Sequence, residues 1–436
     1  MSALRPYLGI AIFTLIPTLA LTTIMSRIER ISRGRQLSLK IGVVSIGLIL
    51  VLAVQNSVWL SAWPVVLVPT FLASQSHGVG IELPNRESVR ITPRDRFRSW
   101  NAKRTENPTA AETYIFIIGE SVRSDRINGC GGRSQTTAPP SDSLIYCDVL
   151  SGSSSTHTSV PLLVSRELPG HSERVSRDST FLNAFEAVGF ETFWLAVQER
   201  SIAWPDAKNQ VYDASSRLDR DVLLPLLDTA LSKPARKKII ILHAYNSHFP
   251  YTDRYQATAA PFAVDMKFVG SQVPTQSAIG DWWNAYDNSV DESMHFLDAV
   301  VDRLRMQSGE AFLIFTSDHG ENMIDDKRNL IQHALKVPTV WDTKVPSVVW
   351  GNTAWRQAYP VRWEMLSLNK NMPIMHMDLV PTMLGAAGIT YTEQRGMPID
   401  LTVHAAGSIR SRITQVRTGE SVSSDMLYKD AETAKR

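Results

Sequence analysis

Cysteine is nearly absent. The 436 residues hold two, Cys130 and Cys147, too few for a disulfide framework. They form either one bridge, if the compartment is oxidising, or two separate thiols. An excess of charge of one sign is also missing: 45 Lys and Arg stand against 43 Asp and Glu, a formal net charge of +2. A nucleic-acid binder would show a strong basic excess, so no nucleic-acid partner is expected. No repeats are visible. What the chain does have is 44% hydrophobic residues, ample for a core, in a length that suits two domains or one large domain with an appendage.

The N-terminus reads as a membrane region over residues 1–75. Pro6 to Met25 is uncharged, and about 20 such residues span a bilayer. A signal peptide would need a shorter apolar core and a small-residue cleavage site, and neither is clear. Ile41 to Val54 is a second apolar run, stretched to a short span by Leu37, Leu39 and Gln55. The loop between them carries Arg27, Arg30, Arg33, Arg35 and Lys40 against Glu29, which makes it cytoplasmic by the positive-inside rule. The N-terminus and everything after Gln55 would then lie outside the cytoplasm. Trp59 to Leu72 contains Pro64 and Pro69 and is expected as an interfacial segment. Residues 76–112 are polar, rich in Arg and Pro, and read as a linker along the membrane surface. Residues 113–402 read as one folded domain, and 403–436 as a polar tail.

Within the domain, apolar strands alternate with amphipathic helices. The pattern predicts strands at Tyr114–Ile118, Glu191–Leu195, Lys238–His243, Ala311–Thr316 and Val345–Trp350. It predicts helices at Phe181–Val188, Asn284–Arg305 and Asp378–Ala387. Such alternation implies an α/β fold, a mainly parallel sheet with helices on both faces. The ligand crevice of such a sheet lies at the carboxyl ends of its strands. Two strand ends carry chemistry there. Ala311–Thr316 runs into Ser317-Asp-His-Gly-Glu321, whose Asp318 and His319 suit Zn²⁺. Tyr114–Ile118 runs into Gly119 and Glu120. Read alone, Glu120 is a carboxylate at a helix N-terminus, and Asp318-His319 is a turn as often as a metal site.

Five elements follow one another in order: Gly119-Glu120-Ser121-x-Arg123-x-Asp125-Arg126, Ser151-Gly-Ser-Ser-Ser-Thr-His-Thr-Ser-Val-Pro161, Asn246-Ser-His-x-Pro250, Asn284-Ala-Tyr-Asp-Asn288 and Ser317-Asp-His-Gly-Glu321. Over about residues 112–390 they resemble the phosphoethanolamine transferases of bacterial inner membranes, in the sulfatase-like branch of the alkaline phosphatase superfamily. The resemblance implies the fold of that superfamily, a helical membrane region and a periplasmic catalytic domain with a Zn²⁺ site.

By that resemblance Glu120, Asp318 and His319 are zinc ligands. The nucleophile, itself a ligand, falls at Ser154, seven residues before Pro161, with Ser153, Ser155 and Thr156 as adjacent alternatives. Thr156 is also a candidate substrate-binding residue. Zinc coordination would lower the hydroxyl pKa and stabilise charge on the phosphoryl oxygens. The headgroup would pass from phosphatidylethanolamine to the serine, releasing diacylglycerol, and then to an envelope glycan or lipid. His248 and His333 match positions that line the family's active site and suit general acid–base work or a second zinc, although a solvated loop histidine is the plainer reading of each. His243 and His157 are weaker candidates. His376 and Asp378 support the site or cap the last helix. Asn288 would reach the substrate phosphate, and the apolar face of its helix is plain core.

The departures are a membrane region with fewer spans than the family's and the lack of the several cysteine pairs of lipid A-modifying members. Competing readings on the same fold are a sulfatase, a phosphodiesterase and a phosphoglycerol transferase, and outside catalysis a remnant that binds envelope components. Ser159-Val-Pro161-Leu-Leu163 lacks the Arg a sulfatase motif requires.

Overall fold

The computed structural model describes residues 99–435 apart from 105–107, 109, 201–205, 215–217, 266–276, 393–397 and 406–410. The expected spans, the interfacial segment and most of the linker lie outside the described residues. Among the described residues no helix is long and apolar enough to cross a membrane.

One eight-stranded sheet organises the domain. In chain order its strands are β1 Glu112–Gly119, β2 Leu144–Leu150, β3 Glu191–Ala196, β4 Asn209–Tyr212, β5 Lys237–His243, β6 Glu310–Ser317, β7 Lys344–Gly351 and β8 Ile374–Met375. Across the sheet they lie β8-β2-β7-β6-β1-β5-β3-β4. β1 is central and pairs parallel with β5 and β6. Only β7 runs against the rest, antiparallel to β2 and β6. The sheet is therefore mixed but mainly parallel, and the carboxyl ends of β1, β5 and β6 meet along one rim.

Helices cover both faces because the central strands are apolar on both. Along β1 the side chains alternate. Tyr114, Phe116 and Ile118 enter one core with Phe312 and Ile314 of β6. Ile115 and Ile117 enter the other with Leu313 and Phe315. The first core is closed by helices α1 Thr156–Val164 and α4 Leu379–Ala386, the second by α2 Asp219–Ser232 and α3 Ile279–Arg305. In α3, Val290, Met294, Leu297, Val300, Val301 and Leu304 are all buried, the face its periodicity predicts, although the helix begins five residues before Asn284. Truncating Leu297 to alanine should cost about 2–5 kcal/mol through lost burial and a residual cavity. A lower denaturant midpoint at unchanged slope would show it.

Two segments carry more regular structure than their composition suggests, and the two cysteines are paired. The Ser/Thr-rich stretch after Ser151 becomes α1 from Thr156 onward, with Ser155 as its N-cap. The polar tail is structured: β9 Ile413–Gln415 and β10 Ser421–Ser423 make a hairpin, followed by α5 Ser424–Lys435. Leu427 of α5 packs on Leu150, Met375 and Met377. Cys130 and Cys147 are bonded to each other, so of the two options the bridge is realised.

Candidate metal centre

Glu120 follows β1, Asp318 and His319 follow β6, and all three are buried. Since β1 and β6 are hydrogen-bonded neighbours whose register pairs Gly119 with Ser317, residues far apart in sequence emerge side by side. Several contacts fix the turn after Glu120. Ser121 sits in the left-handed region with φ 59°, unusual for a residue with a Cβ. Tyr286 of α3 clamps it, its hydroxyl donating to Ser121 O at 2.5 Å and accepting from Arg123 N at 2.9 Å.

The donor atoms converge. Glu120 Oε1 lies 3.2 Å and Asp318 Oδ2 3.4 Å from His319 Nε2. The Thr156 hydroxyl is 3.0 Å from His319 Nε2 and 3.1 Å from Glu120 Oε2. A tetrahedral Zn²⁺ site with bonds of about 2.0–2.1 Å has ligand–ligand edges of roughly 3.3 Å. His319 Nδ1 donates to Gly320 O at 2.8 Å, which turns the Nε2 lone pair of the neutral ring toward the cluster. Asp318 Oδ1 accepts from Ser121 N and His319 N, while the buried Oδ2 has no hydrogen-bond partner. Two acids and an imidazole buried together are costly unless a cation joins them. The donor set therefore fits a divalent metal. A second arrangement overlaps it: Glu120, His319 and His333 offer atoms within 4.8 Å of one another.

Electrostatics point the same way. Burial and then Glu120 raise the Asp318 carboxyl to about 7. Burial disfavours a charged His319, yet Asp318 and Glu120 outweigh it and raise the imidazole to about 10. Burial likewise works against an ionised Glu120, but the charge on His319 prevails and holds it below the usual carboxylate range. The raised groups hold their protons more tightly folded than unfolded. Their contribution to stability is thus full at low pH and lost as pH climbs through the raised values. A bound cation takes the place of those protons. The gain in Tm on adding a divalent cation should therefore grow between about pH 6 and pH 9, which scanning calorimetry at several pH values would show.

Of the other expected residues, His333 and His248 are close by and Asn288 is committed elsewhere. The His319 and His333 rings are 4.1 Å apart, and His333 Nδ1 lies 3.2 Å from Glu321 Oε2. His248 stacks on Tyr245 at 4.5 Å and lies 6.2 Å from His333, and burial lowers its pKa. Both ends of the Asn288 amide are engaged by the Phe262 backbone, Oδ1 accepting at 3.0 Å and Nδ2 donating at 2.8 Å. These two bonds hold that loop in place. Ser154 precedes α1, and its carbonyl accepts from Ala334 N at 2.8 Å. Among the described residues the hydroxyl against Glu120 and His319 is that of Thr156, the first residue of the helix. His243 is buried against Trp194, and His157 is exposed.

Two participants carry no sequence signal of their own. Gln198, just past β3, donates to Glu120 Oε2 at 2.9 Å and needs the β5-β3 adjacency to be found. Glu321 is the last residue of the Ser317–Glu321 element, yet its pairing with His333 depends on a loop. Asp378 stands at the N-cap of α4 without a side-chain cap bond there; its carboxylate accepts instead from Met375 N at 2.8 Å and Ile399 N at 3.0 Å.

A buried set of side chains able to hold a metal, with an adjoining alcohol, on the rim of a mainly parallel sheet fits a group-transfer or hydrolytic enzyme. The sulfatase family model matches residues 112–389, and the chain belongs to that family. It is 27% identical over 302 residues to the Kdo(2)-lipid A phosphoethanolamine 7''-transferase of Salmonella typhimurium, covering 64% of this chain and 52% of the relative. The chain thus spans about half the length of the curated relatives it matches. Among solved structures, the C-terminal periplasmic domain of EcEptC from Escherichia coli in complex with Zn matches with a TM-score of 0.65 at 19% identity, over 78% of this chain and all of that one. The integral membrane protein lipooligosaccharide phosphoethanolamine transferase A from Neisseria meningitidis matches with a TM-score of 0.62 at 21% identity, over 75% of this chain and 64% of that one. These structural likenesses establish the fold alone.

Proposed function

We propose that the chain is a zinc-dependent phosphoethanolamine transferase, anchored in the bacterial inner membrane with its catalytic domain facing the periplasm. It moves the headgroup of phosphatidylethanolamine to an envelope glycan or lipid through a covalent threonine intermediate. The observation that carries this reading is the Thr156 hydroxyl, 3.0 Å from His319 Nε2 inside a buried acidic cluster. The Salmonella typhimurium relative, a Kdo(2)-lipid A phosphoethanolamine 7''-transferase, supports the substrate class. The nucleophile is thereby assigned to Thr156 and not to Ser154.

Glu120, Thr156, Asp318 and His319 would hold the ion, which when bound lowers the pKa of the hydroxyl and offsets charge on the phosphoryl oxygens. The Thr156 hydroxyl first releases its proton to solvent, and Oγ1 attacks phosphorus as the alkoxide while the bond from phosphorus to the diacylglycerol oxygen breaks. That oxygen takes a proton from His333 or His248. The acceptor hydroxyl then gives up its proton to the same histidine as it attacks phosphorus, and Thr156 leaves as the alkoxide it began as. Glu321 fixes the His333 ring, and Gln198 aims Glu120.

Full-length protein in phosphatidylethanolamine-containing nanodiscs, assayed for metal content and for headgroup release from a fluorescent donor, tests the proposal. Bound zinc with release is expected. Zinc without release would move the assignment to another headgroup or to a sulfate ester. Absence of metal from the purified chain would sink the mechanism.

A further inference from the structure

The loop Ser151–Ser155, which delivers Thr156 to the cluster, is held by residues from far along the chain. Gly152 N donates to His376 Nδ1 at 3.3 Å, and Gly152 O accepts from Gln415 N of the C-terminal hairpin at 2.8 Å. The opposite ring nitrogen, His376 Nε2, lies 2.9 Å from Ser317 O. A carbonyl oxygen only accepts, so Nε2 carries the proton and Nδ1 is the acceptor. Ser317 leads directly into Asp318 and His319. A turn beyond Thr156, Ser159 Oγ donates to Asp318 O at 2.5 Å and lies 3.4 Å from His376 Nδ1. His376 itself is buried.

One rigid imidazole therefore spans the gap between the loop that brings the hydroxyl and the strand end that brings two metal ligands. We propose that His376 is a positioning residue that sets the distance from the Thr156 hydroxyl to Asp318 and His319. The inference rests on the reading of Thr156 as the nucleophile. The residue type follows from the task. A flat ring with an acceptor on one side and a donor on the other meets both partners at once. Asparagine reproduces only the acceptor near Nδ1, and glutamine only the donor near Nε2. The loop contact, which the acceptor makes, is the one that governs Thr156.

The test uses the full chain with His376→Ala, His376→Asn, His376→Gln and Thr156→Ala, each loaded with Co²⁺. Cobalt affinity should fall by no more than about 10–100-fold in the three His376 variants, since Glu120, Asp318 and His319 remain. The visible absorption of His376→Ala and His376→Gln should move toward that of Thr156→Ala, and His376→Asn should stay near wild type. With zinc and fluorescent phosphatidylethanolamine, kcat should drop about 100-fold in the Ala and Gln variants at unchanged KM, the scale of a displacement near 1 Å, with partial recovery in the Asn variant. A wild-type cobalt spectrum and kcat in His376→Ala would overturn the proposal. So would a loss of kcat matched by the loss of folded protein in thermal melts. If His376→Ala does not fold, identical spectra for the Asn and Gln variants would overturn it. If wild type transfers nothing, the functional reading fails, while the cobalt spectra still decide the role of His376.

Discussion

Replacing Asp318 by asparagine is expected to abolish headgroup transfer and, in metal-free protein, to raise thermal stability. The two effects share a cause. Oδ1 accepts from two backbone amides that an amide oxygen can equally satisfy. Oδ2 is buried, has no hydrogen-bond partner and lies 3.4 Å from His319 Nε2. In the metal-free wild type, burial and Glu120 hold the Asp318 carboxyl at about 7, so ionising it above that pH works against the fold. The neutral amide removes this cost and should raise the metal-free Tm by at least about 2–4 °C at pH 8, the scale of about 1 kcal/mol in a domain of this size. It also removes an anionic ligand. Metal affinity should fall by more than the roughly 10–100-fold that losing an outer partner costs, and turnover by about 1000-fold or more. With zinc present the order reverses, and wild type melts higher. Calorimetry with and without chelator, beside metal analysis, reads both signs. A variant that is less stable than wild type without metal would mean that Asp318 packs the core and does not store repulsion for a cation.

How much of this was legible beforehand follows physical lines. The central strands show because Tyr114–Ile118 and Ala311–Thr316 are buried on both faces and need unbroken apolar residues. Glu120, Asp318 and His319 show because each directly follows such a strand. β2 is only partly buried and carries Asp148, so its apolar signal is diluted. α2 contains Pro225, which reads as a breaker although the helix continues through it. The polar composition of residues 411–435 hides a hairpin whose work is done by backbone groups, such as Gln415 N on Gly152 O. Asn288 shows that a polar side chain in a motif can also hold a neighbouring loop. Contacts set by distant pairing, such as Gln198 on Glu120 or His376 between Gly152 and Ser317, depend on strand order, and a single sequence does not show which strands will be neighbours.

The nucleophile is where sequence and geometry diverge most, and the expected result is correspondingly large. Thr156→Ala should reduce turnover by about 10⁴-fold or more, the scale of removing a covalent nucleophile, and should leave no phosphoethanolamine attached to the protein in intact-mass analysis. Ser154→Ala should change turnover by less than about tenfold, because its recorded link to the loop is a backbone carbonyl accepting from Ala334 N, which alanine keeps. Thr156→Ser is the informative control. Serine retains the alcohol but loses the methyl that restricts χ1. The hydroxyl then samples rotamers away from Glu120 and His319, and kcat should fall about 3–30-fold with the covalent adduct still detectable. The helix favours position 156 over 154 for the proposed role. Ser155 is the N-cap, with extended backbone, and Thr156 is the first helical residue, where the helix dipole favours negative charge. An alkoxide forming at Thr156 is therefore stabilised by the helix as well as by a cation, while Ser154 lies outside that first turn. If Ser154→Ala abolished the adduct and Thr156→Ala kept it, the register would revert to the position seven residues before Pro161, and the contacts of Thr156 would be those of a ligand-orienting hydroxyl.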